Sequence, residues 1–123
     1  MALEFSIASK SFDFKGFDCG EKSLNDYLRF YALKNDKNSI CRVFIVHDPQ
    51  DDPKAVLGYY AVSSAQIAFE DYPEGISGKI TRYPIPAVKI GRLACSLSVQ
   101  GQGVGAALLR DAFYRAIAAN QVI

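Results

Sequence analysis

Apolar and polar positions alternate along the 123-residue chain with two different periods, and the changes of period mark its elements. Phe5 to Ile7 reads as a short first strand, and Gly16 and Gly20 mark turns after it. Leu24, Tyr27, Leu28 and Tyr31 recur at helical spacing and predict a helix with those four on its buried stripe. Ser23 stands where a cap is needed, Asp26 three residues on completes a weak capping box, and the pattern fades between Asn35 and Asn38. Ile40 to Val46 (ICRVFIV) and Ala55 to Phe69 are rich in β-branched and aromatic residues and flank the turn Asp48-Pro49-Gln50-Asp51-Asp52-Pro53. They predict an antiparallel hairpin, in which Gly58 marks a bulge or a close backbone approach.

Glu70 to Pro86 holds Pro73, Pro84, Pro86, Gly75 and Gly78 and reads as a long surface loop, of the kind that serves a function or orders on a partner. A strand over Val88 to Leu97 follows, then a glycine turn, then a helix from about Gly103 to Ala119. Asn120 ends that helix, and Gln121-Val122-Ile123 open a further strand. The order is that of an α/β domain with a mixed sheet flanked by helices, because a crossover helix expects a parallel strand after it.

Composition narrows the class. Half of the residues are hydrophobic and 22% are charged, which excludes disorder and fits one domain over 1–123. The formal charge of +1 leaves no global footprint for nucleic acid, although Lys10, Lys15, Lys22, Arg29, Lys34, Lys37 and Arg42 give the N-terminal third a basic excess. If those side chains converge they can meet RNA phosphates; dispersed, they are a solvated surface. Cys19, Cys41 and Cys95 are odd in number with no CxxC spacing, and His47 is the single histidine, so neither disulfides nor a metal site is indicated. No signal peptide or apolar run of membrane-spanning length is present, and a cytoplasmic protein with no membrane partner is expected.

The chemistry is concentrated in Val88 to Leu109, where strand, glycine turn and helix succeed one another. The first N–H groups of a helix have no partner within it and carry partial positive charge, and glycines let an anion approach them. Gln100-Gly101-Gln102-Gly103-Val104-Gly105 therefore predicts a pyrophosphate seat that needs no lysine. Ala106-Ala107 after Gly105 excludes a P-loop, and glycines at 101, 103 and 105 do not fit the dinucleotide fingerprint. The bland alternative is a glycine-rich connection into an ordinary helix.

Gln100, Gly103 and Gly105 match the Q/R-x-x-G-x-G/A signature of the GNAT superfamily of acetyl-CoA-dependent N-acetyltransferases. Phe17-Asp18-Cys19-Gly20 with Leu24-Asn25-Asp26-Tyr27-Leu28, Gly58-Tyr59-Tyr60-Ala61-Val62-Ser63, Arg82-Tyr83-Pro84-Ile85-Pro86-Ala87 and Gly91-Arg92-Leu93-Ala94 resemble segments of its toxin-type branch. The resemblance spans nearly the whole chain. It implies a GNAT-like (acyl-CoA N-acyltransferase) fold lacking the C-terminal strand, helix and hairpin, and a partial GNAT domain over 1–123. It implies backbone hydrogen bonds from Leu93, Ala94 and Cys95 to the pantetheine arm of acetyl-CoA, and a pyrophosphate held by Gln100, Gly101, Gln102, Gly103, Val104 and Gly105. Members of the branch acetylate the amino group of aminoacyl-tRNA, block translation, and are neutralised by a ribbon-helix-helix antitoxin.

In that reaction a neutral amine attacks a thioester, donors stabilise the oxyanion, and the leaving thiolate gains from a proton. No catalytic residue can be assigned. Cys95-Ser96 stands where the branch commonly has Val-Asp, and the family's thiolate-protonating tyrosine falls on a helix after the next strand. Tyr83, Tyr114 and the Tyr59-Tyr60 pair read as structural, the cysteines as buried thiols, and His47 as solvated. An uncovered sheet edge favours pairing with another chain, and a homodimer is expected. A second class of function stays open: a shortened, catalytically silent remnant that acts through CoA binding or protein contacts.

Overall fold

The computed structural model describes residues 1–67 and 85–122. Four strands form one antiparallel sheet in the order β1 (Glu4–Ile7), β2 (Arg42–His47), β3 (Gly58–Ile67), β4 (Ile85–Cys95). Between β1 and β2 the chain forms α1 (Lys22–Asp26), a π-helical turn (Tyr27–Tyr31) and α2 (Ala32–Lys37). After β4 come a 3₁₀ turn (Leu97–Val99) and the long helix α3 (Val104–Val122). No parallel pairing occurs among the described strands, so a mixed sheet would require a strand beyond α3. Gln121 and Val122, expected to open such a strand, instead continue α3. The loop expected from Glu70 is described only at its end, where Ile85 and Pro86 pair with Ile67 and Gln66; Tyr83 lies outside the described residues.

Helices cover both faces of the sheet. Val43, Ile45, Tyr59, Ala61 and Ala94 pack with Phe17, Tyr27, Leu28 and Ala32 on one face. Phe44, Val46 and Tyr60 pack with Val104, Leu108 and Ala112 of α3 on the other. This explains the unbroken apolar run of β2, which is buried from Val43 to His47. Tyr59 and Tyr60 point to opposite faces and are fully buried, and each hydroxyl has a partner. Tyr59 donates to the Leu24 carbonyl at 2.8 Å, and Tyr60 donates to the Asp111 carboxylate, which also accepts from Arg115 Nε at 2.7 Å. Burial pushes both hydroxyls well above the ordinary tyrosine pKa, with Asp111 adding to the effect at Tyr60.

Several local expectations are corrected. Ser23 is not the cap of α1; Glu21 holds that position without a side-chain hydrogen bond. Tyr31 leaves the buried stripe. The Ala32 N–H donates to the Tyr27 carbonyl five residues back, and this extra residue in the turn brings Ala32 to full burial and leaves Tyr31 55% exposed. His47 is buried rather than solvated: Nδ1 lies 3.0 Å from the Pro53 carbonyl, Nε2 lies 3.2 Å from Ser6 Oγ, and Phe12 packs edge-on against the ring. A carbonyl only accepts, so Nδ1 carries a proton and donates it to Pro53.

Of the two readings of Gly58, the close approach holds. A Cβ there would lie 2.9 Å from the Ala94 carbonyl oxygen and 3.0 Å from Leu108 Cδ1. The bulge falls on β4: Ala61 pairs with Arg92 and Val62 with Ile90, leaving Gly91 as the extra residue. Three residues apart, Ile90 and Leu93 would face opposite sides of a regular strand, but the bulge lets both pack on the α3 side. Gly58→Ala should cost about 1–3 kcal/mol through overpacking against backbone. Urea unfolding checks this, and a loss within about 0.5 kcal/mol would mean that β3 and β4 separate freely at this point.

Candidate functional site

The glycine turn joins the outer end of β4 to α3, and its backbone has the geometry of an anion cradle. Gly101 and Gly103 take φ of +82° and +84°, and a Cβ on either would meet no atom within 4 Å. Among the described residues, the N–H groups of Gly101, Gly103, Val104, Gly105 and Ala106 donate to no carbonyl of the chain, whereas Gln102 N–H donates to Val99 and Ala107 N–H to Gly103. Val104 is 1% exposed as a whole residue, its side chain packed with Phe44, Val46 and Tyr60 between the sheet and α3. Gly105 lies over β4, where a Cβ would stand 3.6 Å from Cys95 Sγ.

Beside this cradle runs the outer edge of β4. Ser96 N–H donates to the Leu57 carbonyl, and antiparallel alternation then directs the polar backbone groups of Ala94 at β3 and those of Leu93 and Cys95 outward. The Cys95 carbonyl accepts from Gln100 Nε2 at 3.1 Å, on that outer side. Leu93, Ala94, Cys95 and Gln100 line a groove of about 280 Å³ together with Cys19, Glu21 and Leu24. Two wider grooves, of about 410 and 430 Å³, lie away from the cradle. Burial raises the Cys95 thiol above its ordinary pKa, helped by Cys19, which keeps it a neutral wall rather than a nucleophile.

The structure thus brings Leu93, Ala94, Cys95 and the residues 100–105 into one continuous surface. Sequence spacing missed the opposite wall of Cys19, Glu21 and Leu24. The Gln100 carboxamide also donates to the Cys19 carbonyl at 3.0 Å, and Leu97 N–H donates to the Asp18 carbonyl at 2.8 Å, joining segments about eighty residues apart. Asp18 is held below its ordinary pKa by the Gly20 N–H and then by the Asn25 side chain. Ser96, considered as a replacement for an acid, caps the 3₁₀ turn by accepting from Ser98 N–H. Tyr114 is 74% exposed on α3. The basic excess is partly paired, with Lys22 on Asp26 and Arg42 on Asp36, while Lys15 and Arg29 line the same wider grooves.

An antiparallel sheet between helical layers, whose last strand leads through a glycine turn into a helix, is the arrangement of a GNAT-like fold. No family model matches the chain. It is 37% identical over 115 residues to a tRNA-acetylating toxin of Mycobacterium tuberculosis, covering 90% of this chain and 64% of that one. It is 31% identical to a probable toxin TacT of Sinorhizobium fredii, covering 84% of this chain and 56% of that one. AtaT complexed with acetyl-methionyl-tRNAfMet superposes with a TM-score of 0.88 at 32% identity, over 98% of this chain and 72% of AtaT. An AtaT mutant bound to acetyl-CoA and the C-terminus of the antitoxin AtaR matches with a TM-score of 0.77 at 31% identity, over 98% and 69%. The chain belongs to the toxin-type branch of the GNAT acetyltransferases. It spans about two-thirds or less of the length of the curated relatives.

The two glycines of the signature, Gly103 and Gly105, carry different constraints. Gly103→Ala should cost about 1–2 kcal/mol, because a side chain in the left-handed region is strained whatever the space around it. Gly105→Ala, at an ordinary contact distance within a helix, should be neutral or stabilising by up to about 1 kcal/mol. Thermal unfolding of the two variants side by side checks the order, and equal losses would refute the cradle geometry.

Proposed function

We propose that this chain is the acetyl-CoA-binding portion of an N-acetyltransferase that transfers the acetyl group to the amino group of aminoacyl-tRNA, as the toxin of a toxin–antitoxin pair. The observation that carries the reading is the set of five N–H groups at 101–106 that, among the described residues, donate to no carbonyl, beside the outward backbone of Leu93 and Cys95. A pyrophosphate fits that cradle because no side chain enters it, and an extended amide-bearing arm fits the strand edge as an added strand would. Leu93 and Cys95 would hold the arm, and Gly101, Gly103, Val104 and Gly105 the phosphates. Acetyl-CoA supplies an activated thioester; the chain's own part is to orient it and to keep the groove apolar through Leu24, Leu93 and Cys95.

The acceptor and partner follow from kinship. AtaT has been solved with acetyl-methionyl-tRNAfMet, and an AtaT mutant with acetyl-CoA and the C-terminus of its antitoxin, which supports charged tRNA as acceptor and an antitoxin chain as partner. The ribbon-helix-helix type of that antitoxin and the cytosol as the place of action belong to the same proposal through the resemblance to the toxin branch. Among the described residues no helix is long and apolar enough to cross a membrane.

The test is the melting temperature of the chain with acetyl-CoA or desulfo-CoA. At about 100 times the dissociation constant, a ligand specific for the folded state adds about 2.7 kcal/mol. A clear upward shift with both compounds is expected; a folded chain that neither compound shifts would refute the cofactor reading and favour the silent remnant.

Self-association belongs to the same proposal, supported by Leu109, Phe113 and Ile117, which are exposed along one side of α3. Sedimentation at micromolar concentration should show a dimer, and a stable monomer would remove this element.

A further inference from the structure

If the cradle seats the pyrophosphate at 101–105, the arm runs along β4 from Cys95 towards Leu93, and its reactive end points at Arg92. The following inference rests on that reading. Arg92 is exposed, and its guanidinium carbon lies 3.8 Å from the centroid of the Tyr27 ring. Among the described residues it forms no ion pair. Tyr27 is buried and braced: its hydroxyl lies 3.2 Å from Cys41 Sγ and accepts from Asn35 Nδ2 at 3.4 Å, and its ring is nearly parallel to that of Tyr59, 6.3 Å away. The π turn then presents Tyr31 to solvent with its ring 23° from that of Tyr27, at 6.4 Å.

A regular helix would have buried Tyr31 and spared the chain an exposed aromatic ring. Instead the inserted residue leaves an open ring beside Tyr27 and nearly parallel to it, and β4 lays a flat cation over the same anchored tyrosine. Single-stranded RNA is bound by that combination, with unstacked bases on aromatic faces and phosphates on guanidinium groups. Two residues of strand separate Arg92 from Ala94, about 7 Å, which sets the platform at the reacting end of the groove.

We propose that Tyr31 and Arg92 form the subsite for the single-stranded 3′ end of the acceptor RNA, a base stacking on Tyr31 and a phosphate pairing with Arg92. The site would select an unpaired end and hold its terminal amine near the thioester.

The experiment is fluorescence anisotropy of the chain with a labelled single-stranded RNA ending in CCA and with the same sequence as a duplex. Arg92→Gln and Tyr31→Ala should each weaken single-strand binding about 5- to 20-fold, a range that corresponds to base stacking and one phosphate contact. Tyr31→Phe should retain it, and Arg92→Gln should lower the salt slope by about one. Duplex binding should not respond to Tyr31→Ala. The acetyl-CoA melting shift, measured on the same samples, should be unchanged in every variant, so failure of the cofactor reading appears as a wild-type chain without a shift. Single-strand affinities equal to wild type in both weakening variants, or no binding by the wild-type chain, would overturn the subsite.

Discussion

The carboxamide of Gln100 is the interaction on which the site depends. One Nε2 group donates to the Cys19 carbonyl at 3.0 Å and to the Cys95 carbonyl at 3.1 Å, closing a chain segment of eighty-one residues onto the end of β4. Each such bond is worth about 0.5–1.5 kcal/mol net, so its consequence is geometric more than energetic. It fixes the start of the glycine turn against the strand and lays the loop at 18–20 along the opposite side of the groove. Around it the loop is stiffened by short polar ties: Asn25 Oδ1 accepts from Cys19 N–H, Asp18 accepts from Gly20 N–H, and Leu97 N–H returns to the Asp18 carbonyl. Residues early in the chain thereby become the wall of a site whose signature lies near residue 100.

That clasp works only because the sheet beneath it is rigid on both faces. Gly58 brings β3 against Ala94 and α3 at distances that no side chain would permit, and Tyr59 and Tyr60 tie the sheet to the helices on either side through buried hydroxyls. Arg115 completes the α3 side by pairing with Asp111 and lying 4.1 Å from the centroid of Phe44. The Gly91 bulge serves the same end from β4. It allows Ile90, Leu93 and Cys95 to pack towards α3 while Arg92 and Ala94 face the α1 side. One strand thus supplies an apolar underside, an outward polar edge and a cation over Tyr27.

The strands of the hairpin, the glycine turn and α3 were legible because each rests on a local pattern: β-branched runs, a glycine triplet, helical periodicity. The features that escaped depend on space. Tyr31 sits at the right interval for burial, and only the hydrogen bond from Ala32 to Tyr27 reveals that the helix widens there. His47 ends an apolar strand before a polar turn, a context that reads as solvated until Ser6 and Phe12 of the neighbouring segment close over it. Gly91 and Gly58 both stand in strand-like runs, and register alone decides which is the bulge. Ser23 had the better capping chemistry than Glu21, yet the turn at Asp18 to Gly20 sets where α1 begins. The resemblance to the toxin branch pointed to the turn residues 100–105 but not to the side chains and carbonyls that hold the turn in place.

The exposed apolar side chains fall on two surfaces of different chemistry. Along α3, Leu109, Phe113 and Ile117 recur every four residues and are 41%, 59% and 55% exposed, and among the described residues no cation lies over Phe113. At the π turn, Phe30 and Tyr31 are equally exposed, but Arg29 lies 5.0 Å from the Phe30 centroid and Arg92 covers the ring next to Tyr31. A stripe of carbon alone gains by excluding water against another apolar face, which suits a protein chain. Rings paired with guanidinium groups gain little from such a face, because the cations would lose their hydration, and gain most from a partner that is flat and anionic at once. The two surfaces therefore separate by chemistry, a carbon stripe on the α3 side of the sheet and rings paired with guanidinium groups on the α1 side, which is why protein contacts are proposed for the first and nucleic acid for the second.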